Sequence, residues 1–488
     1  MGPLIAVALS LLGASPRPLA ALPKEAESCL ACHRDPQVAP DPKIKDFDRS
    51  VHKDLDCTSC HADAASLPHA AGLKTVDCGL CHGQEAADFS KSVHGKALAR
   101  GRREAPSCTD CHGSGHGILT PKDKAASVSR GAITKTCSGC HGSERITSKF
   151  GLPTDRVQTF NDSFHGLAGS AGDLKVANCA SCHGWHDVLP SSDPGSRVFS
   201  ANIAQTCGKC HPGAGPRLTA GRVHVALAGT GGGSRVAELF RMFYLFLIPL
   251  TIGGMLVHNG ADLLRKVVAR RRLPPLKQEE DPLLTVPERL QHAALIVSFF
   301  LLAWSGFALK FPESWWSAPL ALLGGEEPRR TFHRAAALLF IIVGLLHVGY
   351  MLFDHKGRSR LRALLPARRD LDDPLRLFLF NLGLSDERPL LARWSYIEKS
   401  EYWALVWGSG VMIATGTVLI FHNAALAALP LWVIETSRVI HYMEAILACL
   451  SILVWHLYWV VYDPDVYPMN WAWLTGRTHL HEPGKHDD

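Results

Sequence analysis

Few long apolar runs occur in the first 235 residues of this 488-residue chain, although 47% of the whole is apolar. A strong net charge is also missing: +6 is mild for this length and gives no reason to expect a nucleic-acid partner. Cysteine is nearly absent after residue 210. Only Cys449 lies there, within an apolar stretch where a packing role is expected. The first 21 residues, MGPLIAVALSLLGASPRPLAA, lack a basic start, and their apolar core from Leu4 to Leu12 is too short to cross a bilayer. Small residues follow it, so residues 1–21 read as a secretory leader cut between Ala14 and Ala21.

What the first half does have is cysteine in a fixed frame. Fourteen cysteines form seven C-x-x-C pairs, each followed by histidine. They are Cys29, Cys32 and His33; Cys57, Cys60 and His61; Cys78, Cys81 and His82; Cys108, Cys111 and His112; Cys137, Cys140 and His141; Cys179, Cys182 and His183; and Cys207, Cys210 and His211. C-x-x-C-H is the attachment signature of c-type haem, with two thiols for the vinyl groups and an imidazole for the iron. One copy could be a redox dithiol or half a zinc site; seven copies leave almost no room for those readings. No pair is followed by Lys, the variant associated with haem nitrite reductases.

Residues 22–235 hold seven further histidines, one per motif: His52, His69, His94, His116, His165, His186 and His224. His52, His94 and His165 stand in S-x-H triplets, whereas His69, His116 and His186 trail a motif. The unit is a plain motif, an S-x-H and a motif with a trailing His. It begins three times, at Cys29, Cys78 and Cys137, and a half-unit ends at His224. The match in number predicts bis-histidine, six-coordinate haems suited to electron transfer rather than substrate binding. Which haem each histidine serves is not legible from order alone, and neither His165 nor His186 has an evident substitute nearby. With about 26 residues per haem between Cys29 and His211, the porphyrins must be the core, wrapped by short helices and loops. Residues 22–235 carry 25 Lys/Arg against 21 Asp/Glu, so two propionates per haem would turn the loaded surface acidic.

After a Gly-rich linker at 229–235 come five apolar stretches, near 237–257, 289–310, 333–353, 402–421 and 438–460, each about long enough to span a membrane. The expected division is therefore a leader (1–21), a heptahaem c domain (22–228), the linker, a membrane domain (236–475) and a cytoplasmic tail (476–488). Basic clusters follow the first stretch (Arg265, Lys266, Arg270, Arg271, Arg272) and the third (Lys356, Arg358, Arg360, Arg362, Arg368, Arg369). The positive-inside rule then puts the c domain outside, in the periplasm of a bacterial inner membrane. Haem c attachment demands the same side. His333 and His347 lie 14 residues apart and His441 and His456 lie 15 apart, roughly 21–23 Å along a helix. That separation suits two b haems, one towards each membrane face, with His292 as a further candidate. Intramembrane histidines are costly and usually functional. His258 and His422, at span ends, read as interfacial residues.

ERLQHAALIVSFFLLAWSGFALKFP (288–312), TFHRAAALLFIIVG and HYMEAILACLSILVWH resemble the dihaem cytochrome b subunits of formate dehydrogenases and nickel-iron hydrogenases. YIEKSEYWALVWGSGVMIATG (396–416) and DPDVYPMNWAW (463–473) resemble a branch fused to multihaem cytochrome c, the Cbc-type quinone oxidoreductases. The resemblance covers about 236–475. It implies His333 with His441 for an outer b haem and His292 with His456 for an inner one, with His347 an alternative to His292. The fold class is then mainly α: a loop-rich heptahaem c domain joined to a five-helix cytochrome b bundle. The expected function is electron transfer from the quinone pool through b and c haems to periplasmic cytochromes or a terminal reductase in anaerobic respiration. Glu444, one turn from His441, is the candidate acceptor of a quinol proton. Two alternatives are a membrane-anchored reductase of a nitrogen or sulfur oxyanion, which needs an open haem, and an electron-transfer subunit of a separate dehydrogenase or hydrogenase.

Overall fold

The computed structural model describes residues 24–33, 35, 37–38, 44, 46–70, 72–212, 215, 224, 235–269, 277–278, 284–477 and 479–480. The expected leader, the linker apart from Arg235, and most of the C-terminal tail lie outside the described residues. The chain is mainly helical. Its only strands among the described residues are the two-residue segments Lys277–Gln278 and His479–Leu480, paired antiparallel.

The chain divides into two compact units. One contains residues up to Thr154 together with Ala177–Phe199; the other contains Asp155–Val176 and everything from Ser200 onward. The first unit is built from helices of a few residues to about three turns. Several begin at a motif cysteine, as in Cys57–Cys60, Cys108–His112 and Cys179–His183. Residues three apart on a helix share a face, so one helical turn brings both thiols of C-x-x-C to one side, with the histidine next to the second. Polar residues fix where two of these turns start. Ser107 N donates to Asp110 Oδ2 at 2.7 Å, and Ser181 N donates to Asn178 Oδ1 at 3.0 Å.

The second unit carries five helices long and apolar enough to cross a membrane: Arg235–Ala269, Val286–Lys310, Glu326–Phe353, Tyr396–Ile420 and Leu431–Tyr462, called first to fifth below. Their outward faces are dense in exposed Leu, Phe, Val and Trp, as lipid-facing surface requires. The second and third helices pack as one hairpin and the fourth and fifth as another, with the first against the fifth. Among the described residues, neither helix of one hairpin packs extensively against the other hairpin. The last turns of the fifth helix, Ile452–His456 and Tyr458–Tyr462, are π-helical.

Segment Asp155–Val176 is fastened to this bundle. Lys310 Nζ donates to Asp162 Oδ1 at 3.0 Å, and Arg330 faces Asp173 at 3.8 Å. The short helix Phe164–Ser170 packs on the second helix.

Candidate functional site

The thiols expected to carry haem sit on the motif turns. Among the second cysteines of the motifs, Cys32, Cys60, Cys81, Cys140 and Cys210 are exposed, and Cys111 and Cys182 are half-buried. Among the first, Cys108 is exposed, and Cys29, Cys57, Cys78, Cys137, Cys179 and Cys207 are half-buried. Thiols of different motifs come near one another: Cys60 to Cys78 and Cys81, Cys111 to Cys140, and Cys137 to Cys179. Neighbouring attachment points bring the groups they hold close together, as a chain of one-electron carriers requires.

In the first unit, motif histidines face non-motif histidines in pairs. Ring centres lie 5.9 Å apart for His33 and His69, 6.1 Å for His52 and His82, 6.0 Å for His61 and His116, 6.1 Å for His94 and His141, and 6.0 Å for His112 and His186. In the second unit His165 lies 6.1 Å from His211. A metal–imidazole bond is about 2 Å and the ring centre lies about 1.1 Å behind the nitrogen, so two imidazoles on opposite sides of one ion stand roughly 6 Å apart. The pairs fit an iron held between them. Among the described residues no group of three or more His, Cys, Asp or Glu side chains could hold a metal ion. The arrangement is therefore one of facing pairs rather than protein cages.

The pairing follows a rule that sequence order did not reveal. The S-x-H histidine of one repeat faces the plain motif of the next: His52 with His82, His94 with His141, His165 with His211. Trailing His116 and His186 reach back to the second motif of the preceding repeat, His61 and His112, whereas His69 faces His33 of its own repeat. Histidine His183 belongs to the first compact unit and His224 to the second. His224 Nδ1 lies 2.9 Å from the carbonyl of Arg156.

Local chemistry holds these rings. Ser92 and Ser163 cap the helices that carry His94 and His165, accepting from Gly95 N at 3.0 Å and Gly166 N at 3.2 Å. A Cβ on Gly95 would meet Phe89 O at 2.1 Å, and one on Gly166 would meet Phe160 O at 2.2 Å, so S-x-H-G is the working motif at these two positions, whereas Lys53 follows His52. Gly113 and Gly184 follow motif histidines at φ +87°, turning the chain towards the trailing histidine. Burial holds His94, His112, His141 and His165 below the usual imidazole range, which keeps them in the neutral form that binds iron.

Between the two hairpins stand two levels of histidines. His292 of the second helix faces His456 of the fifth, ring centres 6.3 Å apart. His456 Nδ1 meets Glu401 Oε2 at 3.0 Å. The other level holds His333 and His441, supported in parallel ways. His333 Nδ1 is 2.9 Å from Ser305 Oγ, and His441 Nδ1 is 2.9 Å from Thr415 Oγ1. Each hydroxyl spends its proton on a carbonyl one turn back, Leu301 or Val411, and so accepts from the imidazole. That fixes the tautomer and leaves Nε2 to point away with its lone pair. The next residue in each helix is glycine, and a Cβ there would stand 3.4 Å from His333 Cε1 at Gly306 or 3.2 Å from His441 Cε1 at Gly416. Buried guanidinium Nε atoms of Arg438 and Arg289, each three residues before His441 or His292, have no hydrogen-bond partner among the described residues. Such cations suit haem propionates.

His347 is engaged otherwise: Nδ1 is 2.9 Å from Gln291 Oε1 and Nε2 is 3.3 Å from Tyr402 OH. Glu444 is buried, and Tyr244 OH donates to its Oε2 at 2.8 Å. His258 is enclosed by Phe378, Trp455 and Trp459, with Tyr396 OH 2.9 Å from its Nε2. His422 faces His211 at 6.0 Å. The paired Ser305-Gly306 and Thr415-Gly416 were missed in the sequence. Their signal is a hydroxyl residue before glycine at matching depth in two spans.

Facing histidines between apolar helices long enough to span a membrane, together with C-x-x-C-H turns, are the features expected of a membrane-bound haem protein. Residues 283–468 match the family model of prokaryotic cytochrome b561. A 127-residue stretch is 30% identical to a multihaem cytochrome, MtrA, of Shewanella baltica (strain OS185). That match spans 25% of this chain and only 33% of the relative's length. Residues 283–468 are thus similar to b561-type membrane cytochromes and another stretch to a multihaem cytochrome c, which fits a chain that joins a haem c part to a haem b part in one membrane protein.

Proposed function

We propose that the chain is a quinol dehydrogenase with seven c haems and two b haems, passing electrons from the quinone pool to a periplasmic acceptor. The observation that carries this reading is the two-level stack of histidines between the hairpins in a chain that also holds seven C-x-x-C-H motifs. When bound, each haem supplies a one-electron carrier. The protein's part is to hold the axial imidazoles in one tautomer, exclude water from the slot and take up protons. His333 with His441 would hold the outer b haem and His292 with His456 the inner one. His347, occupied at both nitrogens by Gln291 and Tyr402, is the weaker candidate for the inner iron. For the c haems the thioethers would form at Cys29 with Cys32, Cys57 with Cys60, Cys78 with Cys81, Cys108 with Cys111, Cys137 with Cys140, Cys179 with Cys182 and Cys207 with Cys210. The motif histidines are the proximal ligands, and His52, His69, His94, His116, His165, His186 and His224 form the distal set. Glu444 would accept a quinol proton, with the Tyr244 hydroxyl orienting its carboxylate.

Ligation on both faces leaves no open iron for a nitrogen or sulfur oxyanion, which favours electron transfer over the reductase alternative. The orientation, with the c part in the periplasm, follows from the basic loops after the first and third helices. The test is His333→Ala or His441→Ala in the full chain. Expected is loss of one b haem by pyridine haemochrome and loss of c-haem reduction by quinol, with dithionite reduction intact. Undiminished quinol-driven reduction of the c haems in either variant overturns the b-to-c order.

A further inference from the structure

His211 is faced by two histidines. His165 lies 6.1 Å away with its ring tilted 58°, and His422, which follows the fourth helix, lies 6.0 Å away at 59°. We propose that the haem carried by Cys207, Cys210 and His211 has two interchangeable sixth ligands, His165 and His422. This rests on the bis-histidine reading given above and adds to it a site on the membrane part.

Three observations support it. The repeat rule that pairs His52 with His82 and His94 with His141 already accounts for His165, so His422 at the same distance is an addition to the pattern. The residue after His422 also engages His211: Asn423 Oδ1 stands 2.9 Å from His211 Nδ1. An amide oxygen there accepts from Nδ1–H and turns Nε2 of His211 to the iron, the usual way a ligand imidazole is oriented. The segment bearing His165 is tied to the same bundle through Asp162 to Lys310 and Asp173 to Arg330, so both candidates belong to one body. A haem iron has a single position opposite its proximal histidine, so the two rings would be alternatives there rather than joint ligands.

The exchange is balanced without an external reagent. His165 and His422 would each offer one neutral imidazole nitrogen, so exchanging one for the other would break one metal–nitrogen bond as another forms and would need neither an electron nor a proton. A ligand from the end of the fourth helix would join this c haem directly to the bundle that holds the b haems.

The test uses the full-length holoprotein in detergent, with seven covalent haems verified in each variant. The readout is the number of ferrous haems that bind carbon monoxide, together with the high-spin ferric signal in electron paramagnetic resonance. His186→Ala is the reference and should open one haem, because His112 would lose its facing ring. His165→Ala alone and His422→Ala alone should open none, and the double variant should open one. One newly open haem in His165→Ala alone, or none in the double variant while His186→Ala opens one, overturns the proposal. If His186→Ala and the double variant both open none, the bis-histidine reading itself fails. His165→Gln carries the same expectation should His165→Ala not accumulate.

Discussion

Thr415→Val removes one hydroxyl and almost nothing else, so it isolates what that group does for His441. The two side chains have nearly the same shape. The loss is the 2.9 Å contact between His441 Nδ1 and Thr415 Oγ1 and the bond from Oγ1 to the Val411 carbonyl. A buried N–H left without an acceptor costs about 1–3 kcal/mol. The carbonyl of Met412 also hydrogen-bonds this imidazole, so the ring is not stranded and the lower end, about 1 kcal/mol, is expected. Weakening the partner of a ligand imidazole typically lowers affinity for the bound group about 10- to 100-fold; with the carbonyl still in place we expect about 10-fold. A less strongly polarised Nδ1–H makes a poorer donor to ferric iron, so the midpoint potential of that b haem should rise, by at most about 60 mV for a tenfold ferric preference lost. Redox titration of the b bands in detergent measures the potential, and haem retention during dilution measures the affinity. Both unchanged would refute the assignment of Thr415 as the support of a haem ligand.

Ser305→Ala should act on the same iron in the same direction, and with Thr415→Val the two shifts should add, because the supports lie on opposite sides of the haem; a titration of the double variant checks this. Gly416→Val places branched carbons where a single Cβ would already stand 3.2 Å from His441 Cε1. It should cost one b haem while all c haems stay, as read by pyridine haemochrome. Glu444→Gln keeps an acceptor for Tyr244 OH but cannot take up a proton. It should slow quinol-driven reduction about 100-fold with haem content unchanged, measured by stopped-flow absorbance.

The five apolar helices and the seven motif turns were readable because each leaves a local signature: a long apolar run, or two cysteines and a histidine in one turn. The spare histidines were readable as a set, one per motif, and six of them face a motif histidine here. Their partners were not, since His94 meets His141 across 47 residues and passes over the nearer motif at Cys108–His112. Only the packing of one repeat on the next decides that. The approach of Cys111 to Cys140, from motifs 29 residues apart, is hidden in the sequence for the same reason. Between His292 and His347 the family resemblance favoured His292, but the residues alone gave no reason. Both are intramembrane histidines, and what separates them is that Gln291 and Tyr402 occupy the ring nitrogens of His347. His422 looked like an interfacial residue because no motif surrounds it. Its place beside His211 is a contact across 211 residues of chain, with no local mark.

The sparse packing between the two hairpins is what the b-haem slot demands. In a bilayer there is no hydrophobic drive to bring helices together, so close van der Waals contact and polar bonds must do it. Here each hairpin is tight within itself but turns histidines, a serine–glycine step and a threonine–glycine step towards the other. Polar rings facing across a gap in lipid would be costly if nothing stood between them. Porphyrins held by these histidines would supply the missing surface, and His333 with His441 and His292 with His456 would be their iron ligands. Glycine beside each ring leaves room for a porphyrin to approach the helix. The π-helical turn at Ile452–His456 belongs to the same design. Fifteen residues of α-helix overshoot a whole number of turns by about 60°, and a π turn changes the face that His456 presents, which is how one helix meets the third helix through His441 and the second through His456.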